Sequence, residues 1–400
     1  MFDFKGLFEF DGGTLANASV YTNEELFYRE LGAIFGRCWL FLAHASCVQS
    51  PEAFVATYMG VEPVLVWRGR DGRLRAFLNA CPRSGRRVCF ADDGTSEAFV
   101  CSCHGLKFNS EGSAVQDPEC RLTEVPRLDL YKGLLFGTLD ESAPDLPLYL
   151  GDAAWYLDTF LDPREGVTEA IGGVLKSSID ANWKLAMDGS AGAAYWRRCS
   201  RHAPVEEAAA AGDRLYQISA GAGGFVGYWS AVDPAAGTNE PPPEIAGRLG
   251  PVRARFRPLL GVVFPNLSFH CASGSLRVWH PQAPQSSQVW TYCLVERAAA
   301  ADEREAVRSR CQWTFGPAGI QTQEDAAVWS EVNRNLRTLR ASRMSIAIRQ
   351  GLGRDRFHED LPGRLGDAAS EINERYFYKN WLQLLVARGW SEVEIGPHEA

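Results

Sequence analysis

The spacing of apolar and polar positions changes character several times along the chain. Near the start, Thr22-Asn23-Glu24-Glu25 has the pattern of a capping box, and Leu26, Phe27, Leu31 and Phe35 then recur at helical spacing. This predicts a short amphipathic entry helix. From Ala53 the period drops to two: Val64 and Val66 alternate, Arg70-Asp71-Gly72-Arg73 supplies an Asp-Gly turn, and Leu74, Ala76 and Leu78 continue the alternation. The expected product is a hairpin leading directly into Cys81. The stretch Ser142–Leu150 contains Pro144 and Pro147 and reads as a connector between domains. Beyond it, strand-like runs such as Leu259–Phe264 and Val289–Val295 alternate with helical patterns. One helical face carries Val328, Trp329, Val332, Leu336 and Leu339. Another carries Ile372, Tyr376, Phe377, Trp381, Leu384 and Leu385, with Gly389 as its stop. The segment Asp233–Gly250, with Pro241-Pro242-Pro243, is expected to be a long mobile loop, and the chain has no internal repeat.

Composition narrows the class. With 400 residues, 46% hydrophobic and 22% charged, the chain is that of a folded globular protein of two or three domains. The formal charge of −8 leaves no broad basic footprint for nucleic acid. The N-terminus lacks a cationic stretch followed by an apolar core, and no run of about 20 apolar residues could span a bilayer. A cytoplasmic location follows as the default expectation, with neither membrane nor nucleic acid as partner. Eleven cysteines, an odd count, fit reduced thiols better than a paired secreted framework, and seven histidines make imidazole the scarcer ligand.

Two clusters carry the candidate chemistry. Residues 81–104 read CPRSGRRVCFADDGTSEAFVCSCH: Cys81 and Arg83 are separated by one residue, and Cys101 and His104, after a 17-residue interval, by two. Further on, Asn182-Trp183-Lys184 opens an apparent helix running towards Tyr195 and Trp196, and His202 lies beyond it. The first frame resembles the Rieske motif, Cys-x-His followed by Cys-x-x-His, in which two thiolates hold one iron of a 2Fe–2S cluster and two imidazoles the other. Together the two frames resemble the α subunit of Rieske non-haem iron ring-hydroxylating oxygenases. The likeness covers nearly the whole chain, because Trp39–His44, Tyr131–Phe136, Phe264–Ser268, Arg277–Pro281 and Phe315–Gly319 follow as family landmarks in the expected order.

The resemblance implies an α+β protein. It places an N-terminal helical segment at 1–40, an all-β Rieske-type domain at 41–147, and a catalytic-type domain with a helix-grip-like antiparallel sheet at 148–400. It also implies two iron centres, a 2Fe–2S cluster that passes electrons and a mononuclear Fe(II) that activates O2 beside an aromatic substrate. The cluster ligands fall on Cys81, Cys101 and His104, but the first histidine position holds Arg83, a permanent cation with no lone pair to offer. Cys103 and Cys89 lie close enough in sequence to be considered as substitutes, and the competing reading of both is as small buried apolar residues. At the second centre the bridging aspartate falls on Ala193 and the first iron histidine on Trp196, which leaves His202 and Asp325 of a two-His-one-carboxylate triad. Asp325 sits on a helix rich in polar residues, where a solvated face is the competing reading.

Losses of this kind point to a degenerate, non-catalytic α-like subunit, a scaffold or partner beside an oxygenase β subunit or an intact α paralogue. The alternatives are an active dioxygenase with altered ligation, working with ferredoxin, reductase and an aromatic small molecule, or a redox protein that keeps only a cluster. Trp67, Trp155, Trp183 and Trp279 are expected in the core or at interfaces, and His280 as a structural residue. Asp188 and Tyr195 are candidates for lining a remnant cavity. His270 and Cys271, adjacent on a strand, point to opposite faces.

Overall fold

The structure is a computed structural model that describes residues 6–162, 167–192, 214–229 and 243–395, without the side chain of Asp188. Ala193, Tyr195, Trp196, His202 and the first part of the expected Asp233–Gly250 loop lie outside the described residues.

The chain divides into two compact units, Ile34–Ala143 and, apart from it, the residues up to Ala33 with those from Pro144 onward. The expected separate segment at 1–40 therefore does not stand alone, because most of it packs into the larger unit. Within it the helix Glu24–Glu30 is capped by Asn23, whose side chain accepts a hydrogen bond from the Leu26 amide, and not by Thr22. Asn competes for the cap at least as well as Thr, so the capping box shifts by one residue.

The Ile34–Ala143 unit is built almost wholly from antiparallel strands in three sheets. Strands Ala53–Met59, Glu62–Arg68 and Leu74–Leu78 form a meander, with Arg68 opposite Leu74 across a turn in which Gly72 takes φ +79°, and the chain then enters Cys81 as the alternation predicts. Inward-facing Phe54, Leu65, Trp67 and Phe77 pack with Phe99, Leu106 and Phe108. Both cluster-motif cysteines, Cys81 and Cys101, are seated in this core.

The larger unit is organised around an eight-stranded antiparallel sheet. From one edge its strands run Thr168–Ile179, Ser286–Glu296, Ser275–Ala283, Leu267–His270, Phe256–Val263, Gly223–Trp229, Arg214–Ala220 and Arg364–Asp367. Neighbours in sequence are mostly neighbours in the sheet, so short hairpins close it. Helices Trp183–Ser190, Ala301–Phe315, Ile320–Leu336 and Ile372–Val386 pack on it. This is the mixed α+β architecture that the sequence implied, with an all-β domain first and a sheet wrapped by helices second.

The two units divide between Ala143 and Pro144, inside the stretch read as connector, and its end, Leu146–Leu150, forms one helical turn and a half whose Leu146, Tyr149 and Leu150 are buried. Two local expectations are corrected. The end of the presumed loop, Pro243–Leu249, is a helix, in keeping with proline at a first helical position. Gly389 does not stop the C-terminal helix, which ends at Val386; it caps a following short turn of tighter helix instead.

Candidate metal centres

The residues after the Leu74–Leu78 strand and after the Phe99–Val100 strand form two loops of the same shape. In the first, Cys81 N–H donates to Arg86 O (2.8 Å) and Gly85 N–H to Cys81 O (2.7 Å). In the second, Cys101 N–H donates to Leu106 O (2.9 Å) and Gly105 N–H to Cys101 O (2.8 Å). Gly85 and Gly105 have φ of +67° and +66°, a left-handed conformation that a Cβ would strain. The loops bring Cys81 Sγ, Cys101 Sγ and a ring nitrogen of His104 within 4.8 Å of one another. Both thiols are buried and the imidazole is exposed.

Burial opposes ionisation of the Cys101 thiol. Hydrogen bonds from the Ser84 hydroxyl, the Cys103 amide, Cys81 and His104 overcome it and bring the group down to about 6. The fourth motif position is differently occupied. Arg83 Nη2 lies 3.9 Å from Asp117 Oδ2, with both side chains about half exposed. Its head group is engaged with a carboxylate and is no donor to a metal. Cys103 is exposed and stays outside the group of three, so the loop does not supply it as a substitute. Cys89 is a core residue: Asn79 accepts from its amide (3.0 Å) and donates to its carbonyl (2.8 Å), and burial pushes its thiol up. Measured against the four outer ligands of a Rieske cluster, the residues present fall one imidazole short.

The carboxylate candidate of the second centre is on the helix Ile320–Leu336. Asp325 is fully buried, which removes the solvated-face reading. Its Oδ1 accepts from Gln321 Nε2 at 3.1 Å, and its Oδ2 lies 3.5 Å from Arg277 Nη1 on the strand Ser275–Ala283. The Arg277 guanidinium, 2% exposed at the side chain, is held between the Trp279 and Phe315 rings at 4.6 and 4.2 Å. Asp325 is thus neutralised by a cation in a dry site. His270 borders the same region, with its ring 5.4 Å from that of Phe315 and Nδ1 2.8 Å from Ser273 Oγ; burial and then the charge of Arg277 push it down to about 4. Arg277 was visible only as part of a landmark string, and nothing in the sequence paired it with Asp325. Trp196, Ala193 and His202, which the family frame sets at the other positions of this centre, lie outside the described residues.

A third cluster explains why the Asn182-Trp183-Lys184 landmark persists. Asn182 caps its helix through the Lys184 amide (3.0 Å). Glu30 Oε1 accepts from Lys184 Nζ (2.5 Å) and Trp381 Nε1 (2.8 Å), and Oε2 from Trp183 Nε1 (2.9 Å). Glu30 and Lys184 are both fully buried, so this network ties three helices together through charge-assisted bonds. Glu30 escaped sequence reasoning, although an acid three residues after Phe27 and four after Leu26 on an apolar helical face was a visible signal. Of the tryptophans, Trp67, Trp183 and Trp279 are core residues and Trp155 is half-buried. His280 is buried beside Trp290 with ring centroids 4.8 Å apart.

A cavity of about 510 Å³ opens elsewhere in the larger unit, among Tyr149, Phe264, Tyr376, Lys379 and Trp390. Neither Asp325 nor Arg277 lines it.

Residues 38–127 match the Rieske 2Fe–2S domain family and residues 148–383 the ring hydroxylating alpha subunit (catalytic domain) family. The biphenyl dioxygenase subunit alpha of Metapseudomonas furukawaii is 33% identical, across 98% of this chain and 94% of that one. The large oxygenase component of the naphthalene 1,2-dioxygenase system of Pseudomonas aeruginosa is also 33% identical, across 96% and 94%. Among solved structures, naphthalene 1,2-dioxygenase with indole in its active site superposes with a TM-score of 0.87 at 29% identity, covering 98% of this chain and 96% of that one. No described helix is long and apolar enough to cross a membrane. A Rieske domain at 38–127 followed by a ring-hydroxylating catalytic domain at 148–383 makes this protein a member of the α-subunit family of aromatic ring-hydroxylating Rieske dioxygenases.

Proposed function

We propose that this chain is a non-catalytic α-like subunit that acts by assembly, beside an intact α chain or an oxygenase β subunit, in an aromatic-ring dioxygenase system. The observation that carries this reading is the state of Asp325. In the family frame it is the carboxylate that completes the iron triad, yet here it is buried, hydrogen-bonded to Gln321 and paired with Arg277. A metal at that place would have to break a buried ion pair, with Trp196 in place of an imidazole and Ala193 in place of the bridging acid.

The pattern of what is kept supports the same reading. Residues of the family frame that persist, such as Asn182, Trp183 and Lys184, are those that hold helices together. Those replaced are one donor position at each centre, now Arg83 and Trp196, and the bridging acid, now Ala193, while Cys81, Cys101, His104, His202 and Asp325 remain. A chain under pressure only to fold and assemble keeps the first set and can lose members of the second. Ferredoxin and reductase would then serve the intact partner and not this chain.

The test is assembly and turnover measured side by side. Tagged full-length chain, co-expressed with an intact α and β pair, is expected to elute in a mixed oligomer. Alone, with ferredoxin, reductase and biphenyl or naphthalene, it is expected to give no oxygenated product. Product formed by the isolated chain would defeat the proposal, as would its exclusion from every oligomer.

A further inference from the structure

The two loops of the smaller unit hold three good metal donors where a dinuclear cluster needs four. We propose that the Cys81, Cys101 and His104 pocket is a site for a single divalent transition-metal ion of the zinc type, with water in the fourth position.

Geometry sets the first constraint. Thiolate and imidazole bonds to zinc are about 2.3 and 2.0–2.1 Å long, so two donors on one ion lie at most about 4.4–4.6 Å apart and, at tetrahedral angles, about 3.5–3.8 Å. The three donor atoms here all lie within 4.8 Å of one another, and a modest inward rotation of side chains brings them onto one centre. A dinuclear cluster spreads its outer donors across two metals, and the second iron would have only His104 among the described residues.

Chemistry sets the second. Two thiolates and an imidazole, with no carboxylate in the group, favour a borderline-soft ion over calcium or magnesium. In the loaded site both sulfurs are thiolates, any remaining thiol proton having gone to solvent, and the complex carries no net charge. The buried thiols form the floor, and exposed His104 leaves the fourth position open to water. Arg83, turned to Asp117, neither donates nor blocks it.

This proposal shares the loss of donors with the reading above, but is tested separately. Metal-free full-length chain is titrated with Co2+ alone, and in parallel reconstituted with iron and sulfide under anaerobic conditions. The expected result is one cobalt per chain, with a thiolate-to-cobalt band in the near ultraviolet and visible bands of a tetrahedral ion, displaced by Zn2+. Cys101→Ser is expected to abolish that band, and His104→Ala, at an exposed position, to weaken affinity by about tenfold or more. Arg83→His is expected to take up two irons and two sulfides where the native chain does not.

Three results would overturn the assignment: a dinuclear cluster in the native chain, no cobalt bound by a chain with a native near-ultraviolet dichroism spectrum, or an Arg83→His variant that takes up no more iron and sulfide than the native chain. A mononuclear iron signal from the larger unit would instead defeat the non-catalytic reading and leave this one standing.

Discussion

Glu30 and Asp325 are the two acids on which the interior of the larger unit turns. Removing one partner of a buried ion pair leaves an uncompensated charge, which costs about 3–5 kcal/mol, whereas replacing both partners by apolar groups of similar volume is often neutral. Glu30→Ala should therefore lower stability by about that amount, and Glu30→Met with Lys184→Met should recover only the part due to the unpaired charge, because the Trp183 and Trp381 N–H groups still lose their acceptor; denaturant unfolding of the three proteins checks this. Asp325→Asn separates two roles. As the partner of Arg277 the carboxylate is structural, and its loss should destabilise by about 3 kcal/mol. A carboxylate that served only as an iron ligand would give a variant of unchanged midpoint.

At the scale of elements, the paired cysteine loops depend on Gly85 and Gly105. An alanine at either φ of about +66° should cost about 1–2 kcal/mol. Metal uptake should fall in step, because the turn that aims the cysteine is lost; cobalt titration of Gly85→Ala and Gly105→Ala reads both effects.

These loops were legible in the sequence because turn residues and ligands have fixed spacing. The helix Ile320–Leu336 was not. Its buried residues are Gln321, Asp325, Trp329, Asn333 and Leu336, while Val328 and Val332 are partly exposed and Leu339 lies beyond its end. A hydropathy pattern assigns the apolar face inward; Trp329 and Leu336 obey it, but Gln321 and Asp325, bonded to each other, are buried beside them where the pattern expects solvent. The same holds for Glu30, an acid that reads as surface until its three donors, each distant in sequence, are brought to it. The C-terminal helix obeys the ordinary rule, and its expected face, from Ile372 to Leu385, is the one buried.

For the whole molecule, acid should be the weak side. His270 is half-buried and His280 buried, and they are held down to about 4 and about 3, by desolvation first and then by Arg277 and Lys176 respectively. Between the ordinary histidine value of about 6.5 and these values the unfolded chain binds protons that the folded chain does not, so stability is complete above that range and falls as pH drops through it. The loss is bounded at about 3 kcal/mol for His270. Unfolding midpoints measured from pH 7.5 to 4.5 should decline, and His280→Phe should flatten the decline. An unchanged slope in that variant would assign the acid sensitivity to other groups.

In the proposed function the larger unit keeps the fold of an oxygenase α subunit without its mononuclear iron. Titrating the anaerobic, metal-free chain with Fe(II), adding nitric oxide and recording the electron paramagnetic resonance spectrum checks this with no knowledge of the substrate. The native chain is expected to give no high-spin iron–nitrosyl signal. A stoichiometric signal from that chain, lost on Asp325→Ala, would contradict the non-catalytic reading.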